Sequence, residues 1–299
     1  MIKLFAAGVL VLAAPVYTAA GTVPFGKIKI DYNRVDANGI EEYQFNGDGT
    51  RLGVKGAKYL DETVEGSYIF EVAPAFDAAD EPEVRQAWFG LRGYLGEVRA
   101  GRHLGPTRVA LDPVDLFADQ AADQNKVLES NVLHDKSVAY INRFNGVGYA
   151  IVFSSDDKNS HISTDVLVNY NAERFYIAAA YLKDYAKRDT VRVGAAYRFP
   201  EGHHLGAAVE HVNDTSGDAG YDAALLNGGY QIGKAMFKGQ VGLNKADLGG
   251  KAETLLGFGV DYELWKTTLL QAQYSLNKHR DHSASDRERV FSVGLSYEF

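Results

Sequence analysis

Four aspartates stand close together in the first half of the chain, and their carboxylates are its clearest candidates for action on a solute. They are Asp112, Asp115, Asp119 and Asp123. Pro113 can begin a short helix with Asp112 as its N-cap, and on that helix the other three carboxylates share one face. A row of carboxylates attracts cations, and it steers polar solutes if basic residues lie opposite it. The connection that contains them, residues 104–134, is longer than most loops that have no function. Its length therefore predicts that it has a function.

Other candidate sites in the sequence are weaker. Residues 228–235 fit the first part of a phosphate-binding loop, but Ala235 replaces the Ser or Thr that would bind magnesium. The pairs His203–His204 and His279–His282 lie in predicted turns or loops without acids at a fixed spacing. There is no G-x-S-x-G elbow. The sequence therefore predicts no metal site, no cofactor and no enzyme activity, although a Ser, His and acid set brought together in space stays open.

Composition indicates what kind of scaffold must position the aspartates. The chain has 299 residues, 46% of them hydrophobic, with 31 Gly, 18 Tyr and 15 Phe against only 7 Pro. Such usage is typical of many short strands joined by tight turns. With no cysteine there is no disulfide or thiolate site. The net charge of −8 argues against a nucleic-acid partner.

The amino terminus predicts export from the cytoplasm. Lys3 precedes an apolar run that ends before Pro15, and Thr18, Ala19 and Ala20 form a small-residue cleavage site. The apolar run is shorter than the roughly 20 residues of a membrane-spanning helix. We therefore predict a signal peptide over residues 1–20 and a single domain over residues 21–299. Loss of Lys3 with the signal makes the remaining chain one charge more negative.

Strict alternation of apolar and polar residues marks segment after segment. In the closing segment the apolar face carries Phe291, Val293, Leu295, Tyr297 and Phe299. A soluble sandwich also alternates. A chain of this length, however, cannot pack some sixteen such faces into one core, whereas a barrel turns them to lipid. The sequence predicts an all-β fold, a transmembrane antiparallel β-barrel of 16 strands, with the second strand running over residues 42–59.

Four stretches and the last residue carry a resemblance to a known family. They are "FGKIKIDY", "TRLGVKG", "VRQAWFGLRGYLGEVRAGR" and the terminal Phe299. In order and spacing the chain resembles the general diffusion porins of Gram-negative outer membranes. The resemblance implies a homotrimer in the outer membrane, in contact with its lipid and lipopolysaccharide. It also implies that Phe299 is the signal read by the barrel-assembly machinery.

The same resemblance implies that the aspartates lie at the narrowest part of the pore, because the long third loop forms that part in the family. Residues 104–134 would then fold into the lumen, with Phe117 against the barrel wall and the carboxylates facing water. The alternative is a solvated acidic surface loop. Strand parity turns Lys27 and Arg51 inward, and Arg85 as well if Trp88 points outward. These three also match positions of the family's basic cluster, although each could merely be solvated or paired with Glu65 or Glu71.

Taken together, these features predict a passive pore for ions and small hydrophilic solutes. The acidic third loop and the net negative charge favour mild cation selectivity. Three alternatives remain open at this point. The chain could be a substrate-selective channel on the same scaffold, a plugged structural or adhesive barrel, or an outer-membrane enzyme barrel.

Overall fold

A computed structural model describes residues 21–76, 81–128, 131–156, 161–216, 220–247, 252–278 and 287–299. The predicted signal peptide, residues 1–20, lies outside the described residues, as do His279 and His282. The strands are β1 Gly21–Ala37, β2 Ile40–Asn46, β3 Arg51–Tyr59, β4 Glu65–Ala73, β5 Glu83–Gly93, β6 Gly96–Leu104, β7 Leu133–Phe144, β8 Val147–Asp156, β9 His161–Asn171, β10 Phe175–Tyr185, β11 Arg188–Arg198, β12 His204–Asp214, β13 Tyr221–Ile232, β14 Ala235–Ala246, β15 Glu253–Trp265, β16 Thr268–Lys278 and β17 Arg287–Glu298. Among the described residues, helical structure is limited to α1, Pro106–Val109, and a 3-10 turn, Gln124–Lys126. In the described part of the chain, neither helical piece has the length and apolar character to cross a membrane as a helix.

The strands form one closed antiparallel barrel. From β3 to β17 each strand pairs with the next one in sequence, and β1 closes the ring by pairing with β17 on one side and with β2 and β3 on the other. Beyond the end of β17, the backbone N–H of Phe299 donates to the Gly26 carbonyl at 3.1 Å, and Gly26 returns the bond at 3.0 Å. Because β2 and β3 both pair with β1, they occupy one position in the wall. The predicted barrel of 16 strands is confirmed.

The second position in the wall is interrupted where the sequence predicted a continuous strand over residues 42–59. The segment Asn46-Gly47-Asp48-Gly49 forms a turn, in which Gly49 has a φ of +85°. The backbone hydrogen bonds to β1 stop at this turn, and the Thr50 side chain bonds to the backbone of β1 in their place. Its hydroxyl accepts from the Lys29 N–H at 3.0 Å and donates to the Lys29 carbonyl at 2.9 Å.

The two faces of the wall differ as a membrane barrel requires. Along β10, Phe175, Ile177 and Tyr181 are exposed on the outer face, while Tyr176 and Ala178 are buried on the inner one. Exposed aromatic residues end strands on the side of the short turns, as Tyr59, Phe144 and Trp265 do. The connection between β10 and β11, at the opposite end, is also only two residues long, Ala186 and Lys187.

Candidate pore constriction

The third-loop segment, which we define as residues 105–128 between β6 and β7, is fixed first at its beginning. Asp165 on β9 is fully buried, and its carboxylate accepts from the Thr107 N–H at 3.0 Å and from the Thr107 hydroxyl at 2.5 Å. The ring of His134 contacts the same carboxylate at 2.9 Å. On β11, Arg192 donates to the Thr107 carbonyl at 3.0 Å and pairs with Glu210. One residue of the segment is thus bonded to two strands.

A row of inward side chains on β13 and β14 then bonds to the backbone of the third-loop segment. Asn227, Gln240 and Asn244 donate to the carbonyls of Val114, Ala122 and Val127 at 2.8, 2.6 and 2.8 Å. Between them, the Lys238 ammonium donates to the Leu116 carbonyl and to Asp261, each at 2.8 Å. These bonds satisfy backbone groups that have no partner in regular structure.

Apolar packing supplements the hydrogen bonds along the same side. Leu111, Val114, Val127 and Phe117 are fully buried. They pack against small residues on the inner face of the strands, which are alanines such as Ala178 and Ala208 and glycines. At Gly257, an added Cβ would lie 2.6 Å from the Cβ of Ala122. The Lys238 ammonium lies 4.5 Å from the centre of the Phe117 ring, a cation–π contact.

The tip of the third-loop segment reaches strands at the beginning of the ring. The carboxylate of Asp119 accepts from Lys27 on β1 at 2.9 Å and from Arg51 on β3 at 3.0 Å. Burial opposes ionisation of Asp119, but the two cations outweigh it and hold its pKa well below the usual range. Three of the predicted site residues therefore meet in one ion cluster.

The other three aspartates have no ion pair among the described residues. Burial raises the pKa of Asp112 to about 7 and that of Asp123 to about 6. Burial also raises the pKa of Asp115 well above its usual range, and the Asp123 carboxylate adds to this effect. The pKa values of Asp112 and Asp123 thus lie near neutral pH, unlike that of Asp119.

The predicted helix beginning at Pro113 is wrong. The chain forms its helix earlier, where Pro106 occupies the first turn of α1, and residues 110–123 form turns. Asp115 accepts from the Phe117 N–H at 2.8 Å, and Asp123 accepts from the Asn125 N–H at 2.8 Å. Aspartate side chains bonded two residues ahead compete with a helix, so the carboxylates do not form the predicted row.

Arg85 faces the inside of the barrel, but not for the predicted reason. Trp88 faces inward, because its ring lies 3.9 Å from the guanidinium of the buried Arg99 while its neighbour Phe89 is 52% exposed on the outer face. Strict alternation from Trp88 would turn Arg85 outward. A register shift at Glu71 and Val72 corrects this, and the Arg85 Nε donates to Glu71 at 3.0 Å. Glu71 is the neighbour named as its alternative partner.

A Ser, His and acid set does occur in space, but it is built into the wall. His134 contacts the Ser154 hydroxyl at 2.8 Å through Nδ1 and Asp165 through Nε2. The Ser154 oxygen also bonds to Ser163 at 2.6 Å, and His134 and Asp165 are fully buried. A substrate cannot reach a nucleophile placed in this way. No group of three or more His, Asp and Glu residues suited to a metal ion occurs within the described ranges.

The comparisons with known proteins agree with this architecture. The sequence profile of the Gram-negative porin family matches residues 6–282, and no curated protein sequence matches the chain. The fold is similar to that of the anion-selective porin from Comamonas acidovorans, with 20% identity, a TM-score of 0.81, and 94% of this chain and 100% of that chain covered. It is also similar to the trimer form of in-vitro folded OmpT from Vibrio cholerae, with 14% identity, a TM-score of 0.72, and 94% and 100% covered.

A mutant of the Rh. blastica porin is a third similar structure, with 17% identity, a TM-score of 0.67, and 93% of this chain and 100% of that chain covered. At such identities these likenesses concern the fold, and the family assignment depends on the profile match. With the closed barrel, that match identifies the protein: the chain belongs to the Gram-negative porin family and forms a passive pore in the outer membrane.

Proposed function

We propose that the third-loop segment narrows the pore, so that ions and small hydrophilic solutes diffuse past it and no reaction takes place. One observation carries this proposal. The segment is bonded to β9, β11, β13 and β14 on one side, and its tip is bonded to β1 and β3 at Asp119. A segment held in this manner divides the lumen and leaves the solute a passage beside it.

The charges beside that passage bear on the mild cation preference that we propose. Lys27 and Arg51 share the single carboxylate of Asp119, which leaves one positive charge in that cluster, and Glu71 neutralises Arg85. Among the described residues, this leaves three carboxylates without an ion pair, those of Asp112, Asp115 and Asp123. The inward cations without a described ion pair near them are Arg108 and Lys55. The five cations and five carboxylates named here therefore balance, so the proposed cation preference depends on the net negative charge of the whole chain and should be small.

The cation preference should depend on pH, because two of its carboxylates titrate near neutrality. Asp112 faces Arg108 and Arg51, and Asp123 faces Asp119 and Arg108. Both pKa values are raised, so the charge is present above pH 7 and is lost as the pH falls through about 7 and then about 6. We expect the reversal potential in a salt gradient to shift from cation towards anion preference between pH 8 and pH 5. A preference that does not change over this range would contradict the assignment.

The proposed assembly is a homotrimer, which the trimeric form of the similar Vibrio protein supports. Contacts with lipopolysaccharide and recognition of Phe299 by the barrel-assembly machinery belong to the same proposal. Single-channel recording of the purified protein in a planar bilayer tests it. Conductance steps in groups of three with a small cation preference are expected. A protein that inserts but does not conduct would contradict the pore, and single independent steps would contradict the trimer.

A further inference from the structure

The strand β2 has one edge without a partner strand in the described part of the chain. Its other edge pairs with β1, from Asn46 opposite Asp31 to Ile40 opposite Ala37. The next position in the wall belongs to β4, but β4 pairs with β3 and ends at Ala73. An open edge can bind a further chain, and natural proteins often shield such edges with Lys or Pro. The sequence of β2, IEEYQFN, contains neither residue.

The turn between β1 and β2 determines which backbone groups lie on the open edge. Asn38 and Gly39 form a two-residue turn, with φ values of +57° and +84°. In such a hairpin the flanking residues, Ala37 and Ile40, exchange both backbone hydrogen bonds. Hydrogen bonding to β1 then alternates along β2. The N–H and C=O groups that point to the open edge are therefore those of Glu41, Tyr43 and Phe45.

The outer face beside this edge carries an aromatic patch, which we define as Tyr32, Tyr43 and Phe45. The centre of the Tyr32 ring lies 6.2 Å from that of Tyr43 and 5.1 Å from that of Phe45. Phe45 is 78% exposed and Tyr43 59%, whereas Tyr262, between two neighbouring strands, is 43% exposed. The patch continues the lipid-facing row of Ile30 on β1. The open edge therefore reaches the membrane, where unpaired backbone groups are costly.

The charges next to the aromatic patch distinguish between possible partners. Arg34 on β1 forms an ion pair with Glu41 on β2, so this part of the outer face has no excess of positive charge. A site for anionic lipid headgroups would carry such an excess. A balanced surface, in contrast, can meet identical copies around a symmetry axis without repulsion.

We propose that a neighbouring copy of this chain covers the aromatic patch and the open edge of β2. The copy provides apolar surface to the three rings and hydrogen-bond partners to the backbone groups of Glu41, Tyr43 and Phe45. The inference rests on the proposed homotrimer, and it assigns one of the contacts between the copies to this surface.

Removal of the two most exposed rings tests the contact. Tyr43→Ser combined with Phe45→Ser should raise the protein concentration at which the assembly dissociates at least about tenfold, because buried aromatic side chains dominate interfaces. Analytical ultracentrifugation of the folded protein in detergent measures it. The matched control is Tyr197→Ser combined with Phe199→Ser. These rings are also two residues apart and exposed on the outer face, and their loss should not change the dissociation.

Two single substitutions separate the open edge from the ring of Phe45. Phe45→Ala and Phe45→Pro both remove the ring, but only proline also removes the backbone N–H that points to the edge. Phe45→Pro should dissociate at protein concentrations at least about threefold higher than Phe45→Ala. Equal dissociation of the two variants would overturn the proposed hydrogen bonds to the edge. Phe45→Ala also serves as the milder test of the patch if the double variant does not fold.

The sedimentation results distinguish failure of this inference from failure of the proposed homotrimer. If the original protein is a trimer and the folded Tyr43 and Phe45 variants dissociate no more readily, the inference is overturned and the homotrimer is retained. If the original protein is a monomer, both are overturned. Neither outcome depends on conduction, so the proposed pore is tested separately.

Discussion

Replacing Asp119 by Asn should lower the ratio of cation to anion permeability by about tenfold. The substitution removes the acceptor shared by Lys27 and Arg51 and leaves both cations unneutralised beside the passage. A unit charge about 6 Å from a permeating ion changes its energy by about 0.7 kcal/mol at the dielectric constant of water. The change has opposite signs for a cation and an anion, so the two effects multiply in the ratio. Reversal potentials in a salt gradient measure it.

The matched control for Asp119→Asn is Asp222→Asn. Asp222 is exposed on the outer face of the barrel, where it pairs with His211 at 2.8 Å. The same change of charge there should leave the permeability ratio within experimental error of the original protein. If both variants shift the ratio equally, net charge rather than the ion cluster sets selectivity.

Replacing Asp165 by Ala should release the beginning of the third-loop segment. The buried carboxylate holds both the Thr107 N–H and its hydroxyl, and removing one member of a buried charged network costs about 3–5 kcal/mol. Arg192 alone would then hold Thr107 through its carbonyl. We expect a higher and noisier single-channel conductance and faster entry of disaccharides into liposomes relative to monosaccharides.

Asp61→Ala is a closely matched control for Asp165→Ala. The Asp61 carboxylate also accepts from a threonine N–H and hydroxyl, at 2.7 and 2.9 Å, but it does so in the turn between β3 and β4. That variant should keep the original conductance and solute limit. Unchanged conductance in the Asp165 variant, with the barrel intact, would mean that the Thr107 anchor does not shape the passage.

The alternation of apolar and polar residues was sufficient to predict the barrel from sequence, because it indicates for each strand residue whether the side chain faces lipid or the inside of the barrel. Local exceptions were harder to predict. The turn residues after Asn46 interrupt the second wall position, and the register shift near Arg85 reverses the parity read from Trp88. Both depend on a single extra residue in one strand. The segment Asn46-Gly47-Asp48-Gly49 was a visible turn signal, whereas nothing local marked the shift at Glu71.

The contacts that hold the third-loop segment were beyond sequence reasoning for another reason. Lys238 bonds to the Leu116 carbonyl across 122 positions of the chain, and Asp165 bonds to Thr107 across 58. Such pairs follow from the register of many strands, which one sequence does not determine. Parity alone could have placed Lys238 on the inner face, because Phe237 and Val241 alternate with it on the outer one.

Modification of a single thiol in the third-loop segment tests whether that segment narrows the pore. The natural chain has no cysteine, so Ala118→Cys introduces a unique one at an exposed position of the segment. A bulky thiol reagent, added during recording of open channels, should reduce the current by roughly half or more if the segment narrows the pore. The fully exposed Tyr94, in the turn between β5 and β6, gives the control Tyr94→Cys, which should react without loss of current. Complete labelling of Ala118→Cys with an unchanged current would mean that the segment does not narrow the pore.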